Sequence, residues 1–435
     1  MTWAQGRFPA TADGTYYDIV ARRIAHGAGY TWLWPDGVVT YATHYPIGYP
    51  ALLAVAYKLL GESPGSGMWM NALVTAAIAP AVYELAGGAS RRAALAGVVA
   101  ALHPALVPYT AALMTEGVVT TLLAGAGALV LRKERAALYV ASALFGAMTL
   151  MRPQMLLFAP VFGAMATPTK KWKGALVAAT IAVSFCLPWT FRNCRVMDQC
   201  TFVSANGGTN LLIGVESTTG GWHEVPKEAC PGVFGEVAKD VCYGKLARAK
   251  IAADVGGFVR RMPKKLEQTF DYFGAAPYYL HASNAGAFPF EAKVRLGATE
   301  TLFHRGTLVA GFVCILFMER RRRIEPRGQV PRWRGILTAF VAVAGIVAVF
   351  VPHQGFAAHA AAAIAVCLHG GCNRRAVLFA SVVFATALIH AVFFGAGRYG
   401  LVLVPFVVAF AFRRLGSQPT DGDEGAACAA PRSLS

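Results

Sequence analysis

RRAALAGVVAALHPALVPYTAALMTEGVVTTLLAGAGALVLRKER, residues 91–135, sets two apolar runs between basic ends. Arg91 and Arg92 open the stretch, RKER at 132–135 closes it, and MTEG at 114–117 interrupts it with a single acid, Glu116. The runs near 93–110 and 116–131 read as helices that enter a membrane and return, with both basic ends on one side and Glu116 on the other. That reading makes the chain an all-α polytopic membrane protein.

The pattern continues in both directions. Further apolar runs lie near 68–87, 136–150, 153–167, 174–190, 303–318, 335–351, 355–368, 376–394 and 399–412, several shorter than the roughly 20 residues that cross a bilayer, so their helices must extend into the flanks or re-enter. Basic clusters, including KKWK at 170–173, ERRRRIEPR at 319–327, Arg374 with Arg375, and Arg413 with Arg414, fall in every second connection, which marks those connections as cytoplasmic. Of 435 residues, 56% are hydrophobic and 14% charged, far from a soluble average. The net charge of +17 comes as short clusters between apolar runs, so it reads as topology and excludes a nucleic-acid partner.

The chain then divides into five parts. Residues 1–67 form a first outside loop with juxtamembrane helices, 68–190 a membrane bundle carrying catalytic loops, 191–302 an outside region, 303–412 the C-terminal membrane helices, and 413–435 a polar, disordered cytoplasmic tail. With no charged and apolar leader before residue 68, an upstream membrane helix ahead of Met1 is expected; a translocated N-terminus is the alternative. Four of nine Cys, at 194, 200, 230 and 242, lie in the outside region, where Cys194–Cys200 and Cys230–Cys242 would close short loops in an oxidising compartment. The rival, a structural zinc site, lacks the usual close Cys pairs.

The outside connections hold the chemistry. ADGTYYDIVARRIAHGAG (12–29) sets Tyr17, Val20 and Ile24 at helical spacing against Asp18, Arg22 and Arg23, with Gly27 closing the helix and Asp13 at its start as an N-cap, a reactive carboxylate, or both. His44, Tyr45, Pro46 and Tyr49 suit an interfacial loop that meets membrane lipid, either as an aromatic belt or as a ligand contact. Glu116 at the outer end of a span needs a partner or a wet cavity. Arg152, in LMRPQMLL, and Arg398 with Tyr399, in FFGAGRYG, are turn residues or phosphate contacts. NGG at 206–208 signals a turn.

Taken in order, ADGTYYDIVARRIAHGAG, HYPIGYPALLA, MTEGVV, LMRPQMLLFAP, LPWTFRN, NGGTNLLIG and GAGRYGLVLVP resemble the blocks of family-39-type glycosyltransferases of the GT-C fold, relatives of protein O-mannosyltransferases and lipid A aminoarabinose transferases. The resemblance implies a GT-C-like helical bundle, a polyprenyl-phosphate-linked sugar donor, and a lipid, glycan or protein acceptor. It implies that Asp13 is the catalytic base and that Tyr17, His44, Tyr45, Glu116, Arg152, Arg398 and Tyr399 bind substrate. A divalent metal between Asp13 and Glu116 is the one cofactor it leaves conceivable. The chain departs from the family where Gly14 stands for a second acid, and where His44-Tyr45-Pro46 stands for a Lys-Pro-Pro-like block. A transporter or flippase of an anionic substrate and a non-catalytic assembly protein are the competing classes.

A reporter fused after Arg135 or Arg323 is expected in the cytoplasm and one fused near Gly220 outside. A cytoplasmic signal near Gly220 would overturn the topology.

Overall fold

The computed structural model describes residues 3–132, 134–167, 169–324, 331–370 and 373–412, so the 413–435 tail falls outside the described residues. It is an all-α polytopic membrane protein. Among the described residues, five helices are long and apolar enough to cross a membrane: Pro64–Leu85, Lys171–Val196, Phe290–Arg321, Arg332–Phe350 and Arg374–Val392. Shorter apolar helices, among them Gly48–Leu60, Glu116–Val130 and Gly355–Gly370, pack between them. Phe340, Phe350 and Leu388 remain 66–71% exposed, as expected of side chains that meet lipid.

Lipid tails are as apolar as the side chains, so close backbone approach through small residues holds such helices together. Gly163 and Gly174 meet where the helix Phe158–Ala166 crosses Lys171–Val196; a Cβ on Gly163 would lie 2.3 Å from the Gly174 carbonyl oxygen and 2.5 Å from Ala178 Cβ. Gly97 packs in the same way on the Ala79 carbonyl, and Gly345 on the Phe312 ring.

Two expected elements change. The run at 93–110 is helical only over Arg91–Ala101, roughly 16 Å, and then turns through Pro104 to a 3₁₀ turn at Pro108–Thr110, because proline gives no N–H to continue the ladder. NGG opens a helix, Gly207–Glu216, instead of a turn: Asp240 accepts the free N–H groups of Gly208 (3.1 Å) and Thr209 (2.8 Å), which a local turn signal does not reveal.

Outside the apolar helices, Asp13–Ala25 packs on Gly48–Leu60, and Gly27, at φ 80°, ends it. A short antiparallel hairpin follows, Thr31–Leu33 with Val39–Tyr41, turned by Pro35-Asp36-Gly37. In the 191–302 stretch Cys194 is joined to Cys200 and Cys230 to Cys242. That stretch is fastened to the C-terminal bundle by Lys265, whose Nζ donates to the carbonyl oxygens of Val392 (2.9 Å) and Ala391 (3.3 Å) at the end of Arg374–Val392. Two backbone bonds add to it, Gly395 N–H to Gly220 O (2.9 Å) and Gly274 N–H to Gly397 O (3.3 Å).

Gly163→Leu should force the two crossing helices apart and cost about 1–3 kcal/mol. A thermal melt of the detergent-solubilised variant at the wild-type temperature would contradict the crossing.

Candidate functional site

The Asp13 side chain does not cap its own helix. Ala12 holds the N-cap position and no side chain there accepts a backbone N–H, so the expected capping role is absent. The carboxylate instead turns to two distant partners: the Tyr45 hydroxyl donates to Oδ1 (2.8 Å), and Arg398 Nη1 donates to Oδ2 (2.8 Å) across 385 positions of sequence. Tyr45 is itself fixed, because the Tyr30 hydroxyl donates to its carbonyl oxygen (2.7 Å). Gly14 follows where the resembling family carries a second acid. A Cβ there would lie 3.0 Å from the Leu113 carbonyl oxygen, so a side chain at this position would crowd the Leu113 backbone.

Arg398 joins this pair to a second one. Its Nη1 also donates to the Tyr279 hydroxyl (2.8 Å), its Nη2 to the Tyr399 hydroxyl (3.1 Å), and its Nε lies 3.7 Å from Glu116 Oε1. Glu116 starts the helix Glu116–Val130 and is 2% exposed; it pairs with Arg152, whose Nε donates to Thr115 Oγ1 (2.8 Å). Arg152 precedes Pro153, which disfavours helical backbone, and it sits extended at φ −146°. Both guanidiniums face the Tyr399 ring, at 5.0 Å for Arg398 and 5.3 Å for Arg152, and His390 stacks on that ring at 4.4 Å. Two carboxylates and two guanidiniums thus form one neutral chain, Asp13–Arg398–Glu116–Arg152.

Of the residues singled out from sequence, Asp13, Tyr45, Glu116, Arg152, Arg398 and Tyr399 converge. Tyr17 lies one layer behind, buried between the rings of Tyr45 (5.2 Å) and Tyr49 (5.3 Å). His44 sets its ring edge against Tyr45 (4.6 Å), and burial holds its pKa below the ordinary histidine value. Tyr279 and His390 were not foreseen. An imidazole inside an apolar span is a signal that points to His390, whereas nothing in APYYLHAS distinguishes Tyr279.

A metal bridging Asp13 and Glu116 does not fit this arrangement, since the Arg398 guanidinium lies between the two carboxylates. Among the described residues, the group close enough to hold a cation is Glu267, Asp271 and His353. A pocket opens beside the arginines, lined by Glu116, Arg152, His390 and Tyr399 and by the apolar Met155 and Phe158. Burial pushes the Asp13 carboxyl up, but the Arg398 charge and hydrogen bond, the Tyr45 bond and the Arg152 charge outweigh it, so it titrates below the ordinary 3.8.

No protein-family model matches the chain, and no curated protein sequence matches it. Two solved structures are similar in overall shape, both of ArnT from Cupriavidus metallidurans and both 13% identical. The apo form pairs with 94% of this chain and 74% of its own at a TM-score of 0.40; the form bound to undecaprenyl phosphate pairs with 93% and 74% at 0.35.

A carboxylate held below its unfolded pKa contributes stability that is present above the unfolded value and lost as pH falls through the folded one. Tyr45→Phe removes one bond that favours the charged form and so raises the folded pKa, so the acid-side loss of melting temperature should be smaller and should end at higher pH than in the wild type. Coincident acid limbs in the two proteins would contradict the Tyr45–Asp13 bond.

Proposed function

We propose that the protein is a GT-C-type membrane glycosyltransferase that moves a sugar from a polyprenyl phosphate to an acceptor on the outer face of a cell membrane. The observation that carries this reading is the convergence of two arginines from remote segments on one apolar-walled pocket, Arg398 paired with the partly exposed carboxylate of Asp13 and Arg152 paired with Glu116. The sequence blocks that resemble family-39-type enzymes contribute these same residues. In this reading residues 1–67 and 191–302 face an oxidising compartment such as a periplasm, in keeping with the two disulfides.

The chemistry is one displacement. An acceptor hydroxyl or amine attacks the anomeric carbon, the bond from that carbon to the phosphate oxygen breaks with its electron pair going to phosphate, and the acceptor's proton goes to Asp13. Attack from the face opposite the leaving group inverts the anomeric centre. Arg152 and Arg398 stabilise the charge that grows on the departing phosphate, in a site where exclusion of water strengthens such contacts. The lipid tail stays in the bilayer.

Since Asp13 caps no helix, Asp13→Asn leaves the start of Asp13–Ala25 intact, and far-UV circular dichroism should not change. Sugar transfer should fall by roughly 10²-fold or more, because an amide does not take the proton. Undecaprenyl phosphate, the ligand bound in one of the similar structures, is the first lipid to test as carrier. Near-normal transfer by the folded variant would remove Asp13 as the base.

A further inference from the structure

Asp13 as the structure holds it is a poor base. Its two oxygens are taken by Tyr45 and Arg398, and the guanidinium charge favours the ionised carboxylate. The cluster is also electrically complete: Asp13 and Glu116 balance Arg152 and Arg398. A phosphodiester brings one more negative charge, so it gains a guanidinium only if a carboxylate gives one up.

The contacts decide which carboxylate gives way. Arg152 is bound to Glu116, a residue almost fully buried, and to its neighbour Thr115, so parting that pair would leave a deeply buried charge with only the longer 3.7 Å contact to Arg398. Asp13 is 23% exposed and keeps the Tyr45 bond when Arg398 leaves it. The backbone around Arg398 is fixed, because Gly397 packs on the carbonyl oxygens of Tyr272 and Gly274, at 2.5 and 2.7 Å from where a Cβ would stand. The movement is therefore confined to the arginine side chain, which keeps the Tyr279 and Tyr399 hydroxyls within reach.

We infer that Arg398 is a lock on the base, and that the donor's phosphate opens it: a phosphate oxygen takes the place of Asp13 Oδ2 on Arg398, and the freed carboxylate becomes the proton acceptor. This inference rests on the proposed function. Once Arg398 turns away, burial is the main influence left on Asp13 and raises its affinity for a proton. The base then exists only in the donor complex, so donor binds before the acceptor is activated.

Two sites that compete for one partner oppose each other reciprocally, which gives the test an unusual sign. Farnesyl phosphate binding is measured by calorimetry on the full chain in detergent. Asp13→Asn should bind it more tightly than wild type, by about tenfold, in the usual range for coupled sites. Arg398→Gln should bind it more weakly, and the double variant should show no tightening. Inorganic phosphate should follow the same order with lower affinity, since it lacks the apolar tail. Equal or weaker binding by folded Asp13→Asn, with Arg398→Gln still weakened, would overturn the lock and leave phosphate recognition standing. Wild-type binding by both Arg398→Gln and Arg152→Gln would instead overturn phosphate recognition, and the lock with it. Binding of inorganic phosphate without farnesyl phosphate would contradict a lipid-linked donor.

Discussion

The pairing of Asp13 with Arg398 ties the beginning of the described chain to its end, and the rest of the site is arranged to make it tolerable. A guanidinium and a carboxylate lose several kcal/mol of hydration each when drawn out of water, and the loss is recovered only where every remaining donor and acceptor is satisfied. Here the second carboxylate oxygen goes to Tyr45, the Arg398 Nη1 that meets Asp13 donates also to Tyr279, its Nη2 and Nε face Tyr399 and Glu116, and Glu116 in turn pairs with Arg152. Apart from Tyr399, which is next to Arg398, these partners come from segments remote from one another in the chain, so the pair depends on several parts of the bundle coming together.

That assembly depends on backbones packed against one another. GAGRYG, residues 395–400, lies on the 265–274 segment so closely that a Cβ on Gly395 would be 1.9 Å from the Lys265 carbonyl oxygen, and one on Gly400 2.6 Å from that of Thr269. The glycines of this motif are spacers that let Arg398 and Tyr399 be delivered at a fixed height. Lys265 serves the same junction from the other side, binding the open carbonyls that end the Arg374–Val392 helix. Burial, and then the charge of Arg261, lower its pKa to about 8.

Much of this was legible in the residues themselves. Apolar runs between basic clusters pointed to membrane helices, since a membrane leaves few ways to satisfy a backbone, although the run at 93–110 is helical over only part of its length. Glu116, Arg152 and Arg398 were visible because charges are rare in this chain and each interrupts an apolar passage. What stayed hidden was set by remote partners: Asp13 looked like a cap because its local context suits one, and only Tyr45 and Arg398 draw it elsewhere. Tyr279 carried no local mark, and NGG looked like a turn because Asp240, which completes the helix start, lies 31 residues from Thr209. The stretch after Ala101 stops being helical at prolines that an apolar count overlooks.

The central claim is that Asp13 and Arg398 act as one unit. A double-mutant cycle on melting stability, with Asp13→Ala, Arg398→Ala and the double variant in the same detergent, measures it directly. The account predicts a coupling of about 1–3 kcal/mol, with the second substitution costing far less once the first is made. Losses that add to within about 0.5 kcal/mol would mean that the two residues do not meet.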